Sequence, residues 1–425
     1  MSFLDALDAL PETDGPGRTG LFFQSLHTDW RALFDELRAK RPVLTLPTIT
    51  VLARWADIVD ILSRNGTFQV TYRPHMDPSV GPFMMGRDDT ELNWRDKSVM
   101  KTLLRWGDLP AIRAVASETA GQALAQANLT GTVDIVAAVS RLVPLRIVQR
   151  CFGFPGPDDA TMLAWSRATQ SDMFHNLGND PAILAACVAA GIEMRAWVRP
   201  FLAARQPWTE AAGDDTVSRL LRLTATGLTG MDTEAVVTNV CGLLVGAIET
   251  TSQAIVNATE QILLHDDWRA RAVAAATSDD PAAIDPIVWE ALRFNPMTPI
   301  VVRVATSPCV VAPSSPDETA IPAGRVVMAG IGSAMFDPGV FPDPDSFQHR
   351  PRRLYMHTGF GAHECLGAFV GDAMVPETVR QIMRLPNVRL LPDGQSRVDT
   401  AGGPFAERFV VATGAQRLNV GTGTP

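Results

Sequence analysis

The stretch that decides the fold is residues 358–367, which read T-G-F-G-A-H-E-C-L-G. The glycines of this stretch permit tight turns and a close approach of the backbone to a flat ligand. Cys365 opens the helical stretch that follows, so the N–H groups at the start of a helix would stabilise its thiolate. A thiolate in this position suits a strongly donating metal ligand. A lone buried cysteine in a glycine-rich turn is the commoner alternative, so the interpretation depends on the rest of the chain.

Two further patterns precede this loop in the sequence. Glu290 and Arg293 lie three residues apart on a predicted helix, so the acid and the base share one face. Phe341-Pro-Asp-Pro-Asp-Ser-Phe347 lies between that helix and the cysteine loop. Taken singly, an acid and a base at this spacing usually form a solvated surface pair. The order and spacing of the patterns along the chain therefore carry more information than any one of them.

A long central helix is predicted from Asp232 to about Trp268, because Asp232 can cap it and no proline interrupts it. At 1.5 Å per residue, such a helix would span roughly 50 Å. Its middle is apolar on all sides, so we expect it to be buried, and Glu249, Thr250 and Thr251 follow directly inside it. A carboxylate buried there needs a partner, a water molecule or a function. The alternative is that the residues from 249 onward emerge at the surface.

Helical patterns dominate the chain up to about residue 295, and short β-branched runs broken by proline and glycine follow. Helices are predicted at 29–40, 55–63, 109–127, 133–151, 158–176, 182–204 and 214–226. Short strands are predicted at 43–46, 48–52, 300–306, 309–311 and 325–328. This pattern indicates a helix-rich protein with minor sheet at both ends.

The composition excludes several classes of protein. The 425 residues are 46% hydrophobic with a net charge of −9, which is typical of a soluble globular protein and leaves no basic footprint for nucleic acid. The five cysteines are scattered and include no C-x-x-C pair, which argues against a disulfide framework and a zinc site. The N-terminus has no secretory pattern, and the longest uncharged stretch is too short to span a membrane. We therefore expect a cytoplasmic protein without a membrane anchor.

Together, these patterns resemble those of the cytochrome P450 family, whose cysteine loop has the form F-G-x-G-x-H-x-C-x-G. The departure in the loop is Thr358, where an aromatic residue is usual. The other matches, in the expected order, are G-A-I-E-T-T at 246–251, the E-x-x-R helix at 290–293 and F-x-D-P-x-x-F at 341–347. The resemblance implies a mainly α fold with minor β, as a single haem-centred domain over residues 21–425. Residues 1–20 would form a flexible N-terminal arm.

The resemblance implies haem b as the cofactor, with Cys365 as the axial thiolate ligand of the iron. His363 and Arg303 would bind the haem propionates as charge-assisted donors. A further propionate contact is expected near residue 95, where this chain lacks the usual histidine and arginine. The candidates for it are Trp94, Arg95 and Lys97, with a solvated helix face as the alternative. The remaining residues that the resemblance assigns around the cofactor are Phe360, Gly361 and Gly367 in the loop, and Glu290 and Arg293 as a structural ion pair that supports it.

Glu249 and Thr250 match the acid–alcohol pair that supplies protons during oxygen activation in this family. Gly246 would let the central helix open locally beside them. The resemblance therefore implies a monooxygenase that inserts one oxygen atom of O2 into a hydrophobic small organic substrate, with electrons from a separate ferredoxin-type protein. Two alternatives stay open. One is a peroxide-dependent isomerase or peroxygenase acting on a substrate like a fatty-acid hydroperoxide, and the other is a non-catalytic haem-binding sensor.

The substrate-lining positions implied by the resemblance are apolar, which predicts a hydrophobic substrate. They are Phe83, Met84, Met85, Leu243, Gly246, Ala247, Pro299, Ile300, Val301, Pro404 and Phe405. For each of them, packing in the hydrophobic core is the alternative. Tyr72, Arg73 and His75 are a weaker suggestion for pairing with a substrate carboxylate.

Two more segments carry expectations. The basic residues His349, Arg350, Arg352 and Arg353 precede the cysteine loop and could form the docking face for a ferredoxin, with an ordinary solvated loop as the alternative. Pro376 lies about three turns into the helix after Cys365, where it is expected to kink or end that helix.

Overall fold

The computed structural model of the chain describes residues 2–209 and 213–414. The described residues group into two compact units. The first comprises Met1–Asp77, Pro82–Lys97 and Pro296–Leu366, and the second comprises Pro78–Gly81, Ser98–Asn295 and Gly367–Pro425. The cysteine loop up to Leu366 belongs to the first unit, and the central helical region belongs to the second.

Helices make up most of the described chain. They are α1 (Phe3–Ala9), α2 (Gly15–Lys40), α3 (Trp55–Ser63), α4 (Arg73–Ser79), α5 (Glu91–Leu103), α6 (Leu109–Ala127), α7 (Leu142–Arg150), α8 (Asp159–Gln170), α9 (Pro181–Ala204), α10 (Thr216–Ala225), α11 (Thr233–Val245), α12 (Glu249–Leu263), α13 (Asp266–Thr277), α14 (Asp285–Phe294), α15 (Ile331–Ala334) and α16 (Ala368–Met383). The strands are β1 (Val43–Thr45), β2 (Ile49–Leu52), β3 (Phe68–Gln69), β4 (Thr132–Asp134), β5 (Val301–Ala305), β6 (Cys309–Val311), β7 (Thr319–Ile321), β8 (Val326–Ala329), β9 (Arg389–Leu390) and β10 (Val410–Ala412). The described residues therefore form the predicted helix-rich structure with short strands.

The main sheet of the first unit has the strand order β1-β2-β8-β5-β3. Strands β1 and β2 correspond to the strands predicted at 43–46 and 48–52, and the structure pairs them antiparallel. Strand β2 pairs in parallel with β8, and β8 pairs antiparallel with β5. This pairing places Arg303, in the middle of β5, opposite Val327.

The N-terminal residues differ from the expected flexible arm. Ser2 caps α1 in a capping box with Asp5, so a short helix forms at once. Leu4 and Leu7 of α1 pack in one hydrophobic core with residues of α2 and of strands β1 and β2. An ion pair between Asp8 and Arg41, 2.8 Å long, also fixes α1. Two leucines in a segment rich in glycine and acidic residues therefore pack in the core of the protein.

The second unit consists mainly of helices around α12 and α16. Helix α16 packs against α6, α12, α13 and α14, and α8 packs against α9 and α11. A small antiparallel sheet, β4-β10-β9, adds the last described strand to this unit. Helix α6 begins and ends where the sequence predicts, because Pro110 suits its first turn and its apolar positions recur with helical spacing.

The central helix is broken, contrary to the prediction of one continuous helix from Asp232 to about Trp268. Helix α11 ends at Val245, and α12 begins at Glu249 and ends at Leu263. The predicted burial of its middle is confirmed, since every residue from Val236 to Val245 is buried. The surface alternative for Glu249 is wrong, because this carboxylate is also buried.

Pro376 does not end the helix that contains it. Helix α16 continues to Met383, so the expected helix end at this position is wrong. A proline inside a helix costs about 3 kcal/mol through its lost hydrogen bond and its clash with the preceding turn. The burial of Val375, Pro376 and Val379 against neighbouring helices offsets this cost.

Two helical segments are long and apolar enough to cross a membrane by length and composition, 181–204 and 233–263. The second is a core segment of the second unit, with 72% of its apolar window buried. The first is helix α9, whose window is 22% buried. The absence of a membrane anchor therefore stays a prediction.

Candidate functional site

The cysteine loop of the first unit is shaped by its own backbone hydrogen bonds. The N–H of Cys365 donates to the carbonyl of Thr358 at 2.9 Å, and the N–H of Glu364 donates to the carbonyl of Gly361 at 3.0 Å. A 3₁₀ turn covers Gly361–His363, and Cys365 is solvent-exposed. These hydrogen bonds fix the backbone on both sides of the turn that precedes Cys365.

Two glycines of the loop are required by its conformation. Gly359 and Gly361 have φ values of +80° and +75°, which residues with a Cβ rarely adopt. A Cβ on Gly361 would also lie 2.4 Å from the carbonyl oxygen of Leu62. Gly367 has a φ of −88°, so the tight turn expected there does not require glycine. Phe360, between the two required glycines, is extended and half-buried.

His363 and Arg303 are both held in the first unit near Asp88. The imidazole Nε2 of His363 lies 2.6 Å from Oδ1 of Asp88, and the buried Asp88 carboxylate also accepts the N–H of Val70 at 3.0 Å. Arg303 is 5% exposed, and burial lowers the pKa of its guanidinium while Tyr72 and Asp88 oppose that shift. Over the described ranges, its side-chain hydrogen bond goes to the carbonyl of Val302 rather than to a carboxylate.

This donor set fits the haem that the sequence implies. A buried guanidinium without a carboxylate within hydrogen-bond distance, in the described part of the chain, suits a charge-assisted bond to a propionate. Cys365, in the same unit, would supply the sulfur ligand. These residues of the first unit are therefore chemically appropriate for binding a haem.

The three further propionate candidates differ in their surroundings. The indole of Trp94 is 51% exposed and donates to Asp89 at 2.9 Å. Arg95 pairs with the buried Asp96 at 2.8 Å. The ammonium group of Lys97 donates to the carbonyl of Ala362 and, at 3.2 Å, to that of Glu364. Lys97 therefore contacts the cysteine loop.

Thr250 lies at the break of the central helix in the second unit. Its hydroxyl donates to the carbonyl of Gly246 at 3.3 Å, and its backbone N–H donates to Oε1 of Gln170 at 3.2 Å. Gly246 is exposed, and its added Cβ would meet the carbonyl oxygen of Gly242 at 3.5 Å, an ordinary contact. The break therefore rests on the hydrogen bonds around it rather than on a forced glycine conformation.

Glu249 is 1% exposed and is held by two arginines of the same unit. Its Oε1 accepts from Nη2 of Arg141 at 2.6 Å, and its Oε2 lies 2.9 Å from Nη2 of Arg167. Arg167 also pairs with Glu407, which is 44% exposed, and lies over the ring of Phe405 at 5.0 Å. Arg167 thus connects a buried carboxylate to a surface carboxylate.

Sequence reasoning missed four residues of this arrangement: Arg141, Arg167, Gln170 and Glu407. They lie between 80 and 158 residues from Glu249 and Thr250 along the chain, so no local pattern pairs them with that site. The one available signal was that a buried carboxylate requires a partner. That argument predicts a partner without indicating which arginine it is.

Glu290 and Arg293 form a buried pair on α14. Nη2 of Arg293 donates to Oε1 of Glu290 at 2.7 Å, and Nε donates to Oε2 at 3.1 Å. Both side chains are almost entirely inaccessible to solvent. The pair is therefore buried, whereas this spacing usually indicates a solvated surface pair. Their assigned role as support for the cysteine loop stays a prediction.

The predicted substrate-lining residues are distributed over both units. Those of the first unit are Phe83, Met84, Met85, Pro299, Ile300 and Val301, and those of the second are Leu243, Gly246, Ala247, Pro404 and Phe405. Ile300 packs in the hydrophobic core of the N-terminal helices and strands, which is the alternative that the sequence left open for it. Pro404 is exposed, and Phe405 is buried beside Arg167.

The predicted docking residues are not equally accessible. His349 and Arg353 are exposed, and Arg352 is half-buried. Arg350 is buried, donates to the carbonyl of Asp343 at 2.9 Å and lies over the ring of Phe341. Its expected place on a docking face is therefore corrected, because burial removes its charge from the surface. Tyr72 is half-buried, and burial raises the pKa of its hydroxyl.

The chain is similar in sequence to known proteins. The family model of cytochrome P450 matches residues 282–400. Cyclomarin C epoxidase CymV of Salinispora arenicola (strain CNS-205) is 29% identical over 260 residues, 61% of this chain and 61% of that protein. Vitamin D(3) 25-hydroxylase of Pseudonocardia autotrophica is 27% identical over 366 residues, 82% of this chain and 83% of that protein. The matched region thus spans about six tenths of the epoxidase and most of the hydroxylase.

The solved structure of CalO2 is similar with a TM-score of 0.76 and 21% identity, over 92% of this chain and 97% of that chain. This likeness confirms the predicted fold class, a mainly α, minor β cytochrome P450 fold in a single domain. The family model covers the segment that carries both the Glu290–Arg293 pair and the cysteine loop. The family model, the relatives and the solved structure together support a bacterial-type cytochrome P450, and the cofactor of that family is haem.

Proposed function

We propose that the protein is a haem-thiolate monooxygenase that inserts one oxygen atom of O2 into a hydrophobic small organic substrate. The overall reaction consumes O2, two electrons and two protons, and yields the oxygenated substrate and water. The observation that carries the proposal is the acid–alcohol arrangement at the helix break. There, the hydroxyl of Thr250 bonds to the carbonyl of Gly246, next to the buried carboxylate of Glu249.

In this proposal, Cys365 binds the haem iron, and Arg303 with His363 binds its propionates. Haem, when bound, supplies the activation of O2 and its cleavage after two electrons have been delivered. Lys97 donates hydrogen bonds to the carbonyls on either side of His363, which would steady the loop that carries Cys365. Glu290 and Arg293 act as a structural pair without contact to substrate.

Thr250 and Glu249 would move the protons. The Thr250 hydroxyl donates its proton to the carbonyl of Gly246 at 3.3 Å, a long hydrogen bond that it would exchange for one to another acceptor. Glu249 would pass protons to this hydroxyl from solvent, as a general acid does at a site otherwise kept dry. Two arginines hold the carboxylate, so Glu249 would have to leave one of these ion pairs to turn toward Thr250.

The electrons would come from a separate ferredoxin-type protein in the cytoplasm. His349, Arg352 and Arg353 remain candidates for its docking face, since each retains some exposure. Turnover with Arg352 and Arg353 reversed in charge tests this face. At low salt, we expect a loss of ferredoxin-driven turnover and no change in haem content, because steering depends on local charge.

The experiment that tests the function measures product, consumed O2 and hydrogen peroxide for the wild-type holoenzyme and for Thr250→Ala. We expect Thr250→Ala to consume electrons while releasing peroxide instead of product, since the proton-bearing hydroxyl is lost. Thr251→Ala is the matched control and should stay coupled. Product formed from added peroxide without electrons, and insensitive to Thr250→Ala, would favour the peroxide-dependent alternative. Absence of turnover under both conditions would favour a haem-binding sensor.

A further inference from the structure

Two oxygen atoms compete for the N–H of Thr250. In an unbroken α-helix it would donate to the carbonyl of Gly246, four residues earlier. In this chain it donates instead to the side-chain oxygen Oε1 of Gln170, at 3.2 Å. The carbonyl of Gly246 accepts the hydroxyl of Thr250 at 3.3 Å. Gln170 therefore takes the amide proton that a continuous helix would use to close the break.

An external acceptor is needed at this place. Ile248 is the residue before α12, and its apolar side chain cannot cap the N–H groups of the first turn. The N–H of Thr250 is partly buried, where an N–H without an acceptor is disfavoured, so a nearby side-chain oxygen can decide where this amide points. Gln170 is completely buried, so its carbonyl oxygen has no competing water to satisfy.

Gln170 occupies a defined place on α8. It is the last residue of that helix, directly before a π-helical turn over Ser171–His175. Arg167, one turn earlier on the same face, contacts Glu249 at 2.9 Å. The end of α8 thus holds both members of the acid–alcohol pair, one through its side chain and the other through its backbone.

We propose that Gln170 is a positioning residue that keeps the central helix open at residues 246–248 by accepting the N–H of Thr250. The inference rests on the function proposed for the Thr250 hydroxyl. Without this acceptor, the N–H of Thr250 turns to the carbonyl of Gly246, which closes the turn and moves the hydroxyl together with the backbone that carries it. The hydroxyl then points in a different direction, and proton delivery suffers while the substrate-binding residues stay in place.

The variant Gln170→Met removes the acceptor and keeps the length of the side chain. Gln170→Glu retains an oxygen at the same reach, so it is the conservative rescue. Gln170→Asn keeps the amide but shortens the side chain by one methylene, which provides a second variant if the Met protein does not accumulate. Thr169→Val is the matched control, since Thr169 is equally buried on α8 but donates within its own helix, to the carbonyl of Trp165.

Crystal structures of the holoproteins give the first readout. In Gln170→Met or Gln170→Asn we expect the N atom of Thr250 to approach the carbonyl oxygen of Gly246 to about 3 Å, a normal hydrogen-bond distance. In Gln170→Glu and Thr169→Val the break should stay as it is. An unchanged break in the Met and Asn proteins overturns the proposal, whatever their activity.

The coupling of electrons to product gives the second readout. We expect Gln170→Met to lower the product formed per electron about fivefold with KM nearly unchanged, the loss typical of one removed hydrogen bond. Gln170→Glu should restore most of it. An equal loss in Thr169→Val would mean a general packing effect and would overturn the positioning role. Failure of the wild-type protein to oxygenate any substrate would end the proposed function but leave the structural readout to decide on Gln170.

Discussion

The cysteine loop and the break of the central helix are held in different ways. The conformation of the loop is set mainly by its own backbone, through glycines at positive φ and hydrogen bonds between residues fewer than ten positions apart, and distant contacts from Lys97 and Asp88 add to it. The helix break is held by side chains from distant segments, namely Arg141, Arg167 and Gln170. We therefore expect the cysteine loop to be more sensitive to substitutions in its own sequence than to substitutions around it. The helix break depends on each distant partner.

The largest effect is expected from removing the sulfur of the cysteine loop. We expect Cys365→Ser to abolish the red-shifted Soret band of the reduced carbon monoxide complex completely, because a serine oxygen cannot replace the thiolate ligand. Cys151→Ser and Cys309→Ser are the controls, since these half-buried cysteines lie outside the loop. A retained band in the Cys365 variant would show that the haem is bound elsewhere.

The next largest effect concerns the buried carboxylate of the helix break. Replacing Glu249 by Gln leaves Arg141 and Arg167 without their shared counter-charge, which we expect to cost about 3 kcal/mol of unfolding free energy. Denaturant unfolding measures this loss. The matched variant Glu407→Gln removes the exposed carboxylate from the same Arg167 and should cost less than about 1 kcal/mol. Equal losses would mean that burial does not distinguish the two pairs.

A smaller effect is expected from the backbone of the loop. Gly361→Ala should lower the unfolding free energy by about 1–3 kcal/mol, because Ala must adopt a positive φ and its Cβ meets the carbonyl of Leu62. Gly367→Ala is the control, since a φ of −88° suits any residue. Thermal unfolding of the two proteins provides the measurement. Equal stability of both would contradict the view that the backbone of the loop determines its shape.

The smallest effect is a pH dependence in the second unit. Burial raises the pKa of Asp285 to about 6, and its ion pair with Arg113 opposes the shift. A raised pKa in the folded state means that the stability this group contributes is present below its usual pKa and is lost as the pH rises through about 6. We therefore expect the unfolding free energy of the wild type, relative to Asp285→Asn, to fall between about pH 4 and pH 6. Parallel pH profiles of the two proteins would contradict this.

Local patterns predict some elements closely. Helices α3 and α6 and strand β6 lie at the predicted residues, because helical periodicity and β-branched runs act over a few residues. The sequence predicts a flexible N-terminal arm, but two leucines of α1 pack in the core. The apolar positions were visible in the sequence, but their distant packing partners were not.

The sequence by itself determined the cysteine loop, the Glu290–Arg293 pairing on one helix face and the fold class, since each depends on residues close together in the chain. Only the tertiary structure decided where the central helix breaks, because the acceptor that competes for the N–H of Thr250 comes from Gln170, 80 residues earlier. The same holds for the burial of Arg350 and for the two arginines on Glu249. Hydrogen bonds and ion pairs between distant segments leave no periodic trace, so folding alone reveals them.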